Sequence, residues 1–507
     1  MSLIAGIGNL HHPISTLNDE AQKFFDQGLT LIYGFDFGAA VRSFERAANL
    51  DPRSSMPYWG IALASGPNYN RPTPGPGQEK AAYQAIQTAR KLSSGASDEE
   101  RAYVEALARR YSLEEKPDFG RIAQSYADAM RDLYHRFPDD PDVAALYAES
   151  LMDLHPWQLW RNDGTPRENT PEILQVLERA LHRWPKHVGL NHFYIHAVEG
   201  SRHPEDALAS ARLLETLVPA CSHLVHMPAH VYFRTGYYAE AVRVSESAVG
   251  VDNSEYQHDQ DGSGVFLGYI HHNLIYLAAS AIMEGDYDQA YSALAALASS
   301  ARSELYETYG LLLPLRFGQW DRVLAVPPPD GKAQAVRMFW RYARGVAFAA
   351  KFRIGEAVEE SHEMDQEYAR IAPGRAFGSF FNDWTALHTI ARDILDARIE
   401  LARHHLGRAV ADFKSAVQTE DNLAFDDLPD WYYPVRESLG SALYRAGRFK
   451  EAERVFREDL NRTPRNPRSL FGLWKTLQKQ NRVAEAENAR REFTASWKGG
   501  PIRIEDF

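Results

Sequence analysis

The sequence predicts an all-α protein, a solenoid of stacked antiparallel helix hairpins with a concave groove. Three observations predict it. A turn glycine, then an aromatic residue, then alanine recurs along the chain. Three of the four clear copies run on from that turn through one helix length to an aspartate or proline. No region shows the period-2 alternation of half-buried strands.

The first copy is Gly34-Phe35-Asp36-Phe37-Gly38-Ala39-Ala40, which continues through Phe44 and Ala47 to Asp51-Pro52. A second is Gly236-Tyr237-Tyr238-Ala239-Glu240-Ala241, followed by Ala248 and Asp252. A third is Gly285-Asp286-Tyr287-Asp288-Gln289-Ala290, and a fourth is Gly447-Arg448-Phe449-Lys450-Glu451-Ala452, running on to Phe456 and Pro464. Weaker copies align on Ala207 and Pro219, on Ala409 and Phe413, and on Ala486. The small residues let two helices approach closely, and the aromatic fills the space between hairpins. This frame resembles the tetratricopeptide repeat, about 34 residues long. The resemblance covers most of the chain. It implies one continuous superhelix, with N-terminal hairpins in residues 1–140, central hairpins in 141–300 and C-terminal hairpins in 301–507.

Four segments are too long for a repeat turn: Gly66 to Gly77, Trp160 to Pro171, Asp252 to Val265, and Pro327 to Gly331. They are either spacers or insertions on the binding face, and those at 66–77 and 252–265 are candidate lids.

Charge excludes some functions. With 56 Lys+Arg against 68 Asp+Glu, the net charge is −12, unlike a phosphate-backbone binder. No window has the ~18 consecutive apolar residues of a membrane span. The opening MSLIAGIGNLHH lacks a basic leader, and a single cysteine, Cys221, rules out an internal disulfide framework. The expectation is a cytoplasmic protein with no nucleic-acid or membrane partner.

Walker, H-E-x-x-H, G-x-S-x-G and G-x-G-x-x-G signatures are missing. Histidine stands out instead, with more than half of the chain's 19 falling between His182 and His272. The resemblance implies that each hairpin's first helix lines the groove through repeat positions 2, 5, 9 and 12. With the turn glycine at position 15 and the second-helix alanine at position 20, the unit carrying Ala207 begins at Val188 and puts His192, His196 and Glu199 at 5, 9 and 12. The next begins at Ser222 and puts His223, His226 and His230 at 2, 5 and 9; a third begins at His271 and puts His272 at 2. Residues spaced i, i+4 and i+7 share a helix face, so these side chains converge.

Convergent neutral imidazoles with a carboxylate suit a transition metal. The expected ligands are His192, His196, Glu199, His226, His230 and His272, with copper or iron favoured and zinc the alternative. His223 is equally a supporting donor or a solvated residue. Glu149 and Asp153, an i, i+4 pair, are the candidate catalytic bases. Cys221 is read as packing, His258 as part of a solvated acidic loop, and His11, His12, His404 and His405 as surface residues. Pro228 either bends a helix or opens one.

Further segments resemble a group of bacterial tetratricopeptide proteins: Asn191 to Glu199, His223-Leu224-Val225-His226-Met227-Pro228-Ala229-His230, His272-Asn273, and Trp431 to Ser438. That likeness implies a fold and a His-rich motif, and no reaction. The expected function is a metal-dependent enzyme, an oxidoreductase acting on a small organic molecule. The alternatives are a scaffold holding a peptide or protein in the groove, and a hydrolase with zinc in the same place.

Overall fold

The computed structural model of the chain describes residues 2–73, 75, 77–114, 116–258, 265–300, 303–371 and 382–507, with backbone alone at 255–258 and 265–267. Among the described residues all regular structure is helical, apart from isolated bridges at Asn68–Arg71 and Trp160–Pro166. No helix among them is long and apolar enough to cross a membrane.

The chain divides into two compact units. One comprises Met1–Val231 with Gly250–His258, the other Tyr232–Val249 with Asp259–Phe507. In the first, Asp19–Tyr33 pairs with Phe37–Leu50, Met56–Ser65 with Gln78–Leu92, Phe119–Arg136 with Pro141–Met152, and Thr170–Arg183 with Val188–Glu199. Side-chain caps start several of these helices. Asn18 accepts from the Glu20 and Ala21 amides, Asp36 from Ala39, and Ser97 with Glu100 closes a reciprocal capping box. In the second unit, Val265–Glu284 pairs with Tyr287–Ser300, Gln334–Ala350 with Ile354–Tyr368, Trp384–Ala402 with Leu406–Asp421, Arg436–Arg445 with Phe449–Arg462, and Pro467–Lys479 with Val483–Ser496.

Each unit contains the same packing device. Phe44 is fully buried, and a Cβ added at Gly28 or Gly60 would fall 2.6 Å from its ring. Phe456 is likewise buried, and a Cβ at Gly440 or Gly472 would come within 2.4 or 2.2 Å of it. Both phenylalanines stand sixteen residues from each of their glycines. One aromatic knob therefore occupies the space that two flanking helices leave by lacking side chains.

The turn glycines differ in what they supply. Gly236 has φ 76°, and a Cβ there would lie 1.9 Å from the Pro464 carbonyl oxygen, so both conformation and space require glycine. In the first copy Gly34 is needed for space alone, because a Cβ would lie 2.3 Å from Cys221 Sγ. The left-handed position there falls on Phe35, at φ 55°. Cys221, buried and reduced, is thus a packing residue against this turn.

Candidate metal centre

The centre is built on the helix Val188–Glu199, all of whose residues are buried. Such an all-round buried helix belongs to a core and must satisfy its polar side chains internally. His187 caps its start by accepting from the Leu190 amide, and Trp160 Nε1 donates to the Ala197 carbonyl near its end, at 2.8 Å. The next segment forms two short helices, Ser222–His226 and Pro228–Arg234. Pro228 opens the second of these, where its missing N–H costs nothing.

Hydrogen bonds fix the tautomers. His192 Nδ1 lies 2.6 Å from the carbonyl oxygen of Tyr33, which can only accept, so that nitrogen carries the proton. This N–H also satisfies a carbonyl at the C-terminal end of the helix Asp19–Tyr33. Burial holds the His192 imidazole well below the usual histidine range, so it is neutral and Nε2 offers a lone pair. Glu199 sits behind two further rings, accepting from His196 Nδ1 at 2.7 Å and from His230 Nδ1 at 2.6 Å. Burial opposes the charge on Glu199, but His230 and His196 more than offset it and hold its pKa down. In their neutral forms, with the proton on Nδ1, His196 and His230 each present a lone pair at Nε2.

The Nε2 atoms of His192 and His230 each face the Nε2 of another imidazole. His192 Nε2 and His223 Nε2 are 3.1 Å apart, and the donor atoms of His192, His196 and His223 all lie within 4.8 Å of one another. His226 Nε2 and His230 Nε2 are 2.9 Å apart. Two nitrogens on one ion, each about 2.0–2.1 Å from it and about 90–109° apart, would stand about 2.9–3.4 Å from each other. Both pairs have that spacing. His196 Nε2 is buried and, among the described residues, has no hydrogen-bond partner, which a satisfied core histidine would have. The donor set fits a transition metal.

Aromatic rings enclose the imidazoles. The Phe35 ring centroid lies 4.6 Å from that of His192 and 5.1 Å from that of His223, and it stacks on His196 at 5.9 Å. Tyr69 and Trp157 stack on each other at 5.2 Å and flank His196 at 5.3 and 5.5 Å. Trp157, like Phe35, holds a positive φ, of 61°. Bulky residues in the left-handed region cost of order 1–3 kcal/mol each and concentrate at functional sites. Tyr69 comes from the segment 66–77, so at least part of that segment closes on the imidazoles.

The family described as Tetratricopeptide repeat matches residues 436–470. This segment is a tetratricopeptide repeat. Its helices Arg436–Arg445 and Phe449–Arg462 form a hairpin, and Phe456, between Gly440 and Gly472, closes it on the helix that follows. Among solved structures the chain is similar to the human IFIT1 dimer with m7Gppp-AAAA, at 14% identity over 92% of this chain and 94% of that one, with TM-score 0.36. It is also similar to yeast Tom70, at 12% identity over 96% and 93%, with TM-score 0.34. No curated protein matches.

The tetratricopeptide register sets helix starts at Val188 and Ser222, and helices begin at both residues. It sets a third at His271, whereas that helix runs Val265–Glu284. His272 lies in the second unit, its Nε2 3.4 Å from Asp427 Oδ2 and its ring 5.2 Å from Tyr276. Glu199, expected as a ligand, gives both oxygens to imidazole N–H groups. Glu149 and Asp153 are paired with Arg110, whose Nη2 lies 3.5 Å from Glu149 Oε1 and also contacts Asp153. Burial raises both carboxyls, most strongly Asp153, and Arg110 opposes the rise. Among the described residues, neither carboxyl joins a cluster with the imidazoles.

One surface expectation is corrected: His12 is buried, with Nδ1 2.8 Å from Asp142 Oδ2. Asp142 Oδ1 also accepts from Tyr33 Oη at 2.6 Å and from His187 Nε2 at 3.0 Å. Burial disfavours the charged His12 ring, yet Asp142 holds its pKa up at about 9. The lid expected at 252–265 falls partly outside the described residues; Asp252 to His258 continue the helix Tyr238–His258.

Proposed function

We propose that this helical-repeat protein holds a transition-metal ion in its first unit through Nε2 of His192, His196 and His223. One observation carries the reading: among the described residues the buried Nε2 of His196 has no hydrogen-bond partner, while its Nδ1 proton is committed to Glu199. Imidazole ligands suit copper, iron, nickel and zinc alike; copper or iron is the ion we infer, with zinc the alternative. A bound copper or iron ion would supply one-electron chemistry, and on that basis the chain is an oxidoreductase acting on a small organic molecule. The chain's own contribution is to fix the tautomers through Tyr33 and Glu199 and to exclude water with Phe35, Tyr69 and Trp157. A zinc hydrolase is less well supported, because Glu149 and Asp153, the candidate bases, are engaged by Arg110. Elemental analysis of untagged protein tests the reading. About one equivalent or more of a transition metal is expected; protein that arrives metal-free and takes up no added copper, iron or zinc overturns it.

A scaffold role is the second reading, favoured by the tetratricopeptide repeat at 436–470 and by a cavity of about 240 Å³ in the second unit. Its walls include Phe233, Tyr309 and Trp431 together with Glu420, Arg436 and Asp459, a mixture suited to a peptide with apolar and charged side chains. A peptide that binds metal-free protein and is lost on Trp431→Ala would support it. Peptide-array screening with no binder would remove it.

A further inference from the structure

The imidazoles of the first unit form two pairs rather than one set. In His192 and His223 the facing Nε2 atoms are 3.1 Å apart; in His226 and His230 they are 2.9 Å apart. In each pair one member has its Nδ1 proton committed elsewhere, His192 to the Tyr33 carbonyl and His230 to Glu199, so its Nε2 presents only a lone pair. The two groups meet at Glu199. Its Oε1 takes the proton of His196, which belongs to the first group, and its Oε2 takes that of His230 in the second. The His196 and His230 rings are 6.0 Å apart between centroids.

We propose that the first unit binds two transition-metal ions, one at His192, His196 and His223 and a second at His226 and His230, with Glu199 as the positioning residue that orients a ligand of each. This rests on the metal-binding reading above and extends it. A carboxylate accepting Nδ1–H from a ligating histidine fixes the ring and raises its basicity. Here one buried carboxylate does so for both groups at once: the i, i+4 spacing of His192 and His196 on the helix Val188–Glu199, and the break between the two short helices that carry His226 and His230, bring the rings to it. A simple hydrogen bond between neutral imidazoles explains either pair alone. It does not explain why a single glutamate, with both oxygens engaged, ties the two groups together, nor why His196 Nε2 is left over.

The test uses the full-length, untagged, metal-free chain. Zn(II) is titrated against a competing chelator, and Cu(II)-loaded protein is followed by electron paramagnetic resonance. Two ions per chain are expected, with copper spectra at full loading broadened by coupling that half-loaded protein lacks. His226→Gln with His230→Gln, close in volume to the native rings, should keep one ion. Glu199→Gln should weaken both ions together, by about 10–100-fold each, with unchanged circular dichroism. A purely structural glutamate would instead alter the dichroism and leave the copper coupling intact. One ion in the native chain overturns the proposal, as does a second ion that survives the double substitution. Loss of one ion alone in Glu199→Gln overturns the role of Glu199. If the native chain binds no ion at all, the metal-binding reading itself fails, a result distinct from all of these.

Discussion

Replacing His196 by alanine removes one nitrogen donor of three and takes the N–H from Glu199 Oε1. Metal-free protein should lose about 1–3 kcal/mol from the unsatisfied buried acceptor, plus a void where the ring met Tyr69 and Trp157. The metal term is larger and separable. Structural sites with four ligands gain about 10–16 kcal/mol, roughly 3 kcal/mol per ligand, so losing one ligand weakens binding about 100-fold. At a free-metal concentration one hundred times the native dissociation constant, the native chain gains about 2.7 kcal/mol and the variant about 0.4 kcal/mol. At about 2–4 °C per kcal/mol, the metal-induced rise in melting temperature should be about 5–9 °C smaller in the variant. Differential scanning fluorimetry with and without Cu(II) or Zn(II) measures it. An equal metal-induced rise in both proteins would show that His196 is not a ligand, whatever happens to the metal-free stability.

Three other outcomes are expected. His12 has its pKa raised from 6.5 to about 9, so its contribution is complete below about pH 6.5 and is lost as pH rises through 9; urea unfolding at pH 7 and 9.5 should show a loss of up to about 3 kcal/mol, absent in His12→Gln. Arg110→Met leaves Glu149 and Asp153 buried without their counter-charge and should cost about 3–5 kcal/mol at pH 8, with less at pH 5, where the raised carboxyls take up protons; equal loss at both pH values would contradict the pairing. Gly472→Ala should destabilise the second unit by about 1–3 kcal/mol through collision with the Phe456 ring, and Phe456→Leu should recover part of that loss in a double-mutant cycle.

What could be read from the chain was what repeats locally. Helix starts at Val188 and Ser222 follow from counting back from Ala207 and Gly236, because repeat packing fixes which residue faces which helix. The i, i+4 spacing within one helix likewise places His192 beside His196, whereas His226 and His230 fall on two short helices that meet at Met227, a break the spacing alone does not show. The remaining parts of the site come from far along the chain. The Tyr33 carbonyl lies 159 residues from His192, and Arg110 lies 39 from Glu149. Neither distance has a periodicity to follow. Phe35 was visible as a turn aromatic but read as packing between hairpins; its positive φ turns the ring onto the histidines. Tyr69 lay in a segment whose sequence shows only loop composition. Glu199 was legible by position and not by role, since one helix face says nothing of which atom stands between the other two rings.

The closure by Phe35, Tyr69 and Trp157 bears on time as well as affinity. His192, His196, His223, His226 and His230 are each 5% exposed or less. An ion held by His192, His196 and His223 would arrive or leave only while the rings of Phe35, Tyr69 and Trp157 are apart, so its exchange would run at the rate of that local opening. Strong binding and slow release then have separate origins, the first in the nitrogen donors and the second in the stacked aromatics. Chelators of very different strength should strip the protein at one common rate, and thinning the wall with Tyr69→Ala should speed that rate while barely moving the equilibrium. Which metal the chain carries would then depend on what was present when the wall last closed.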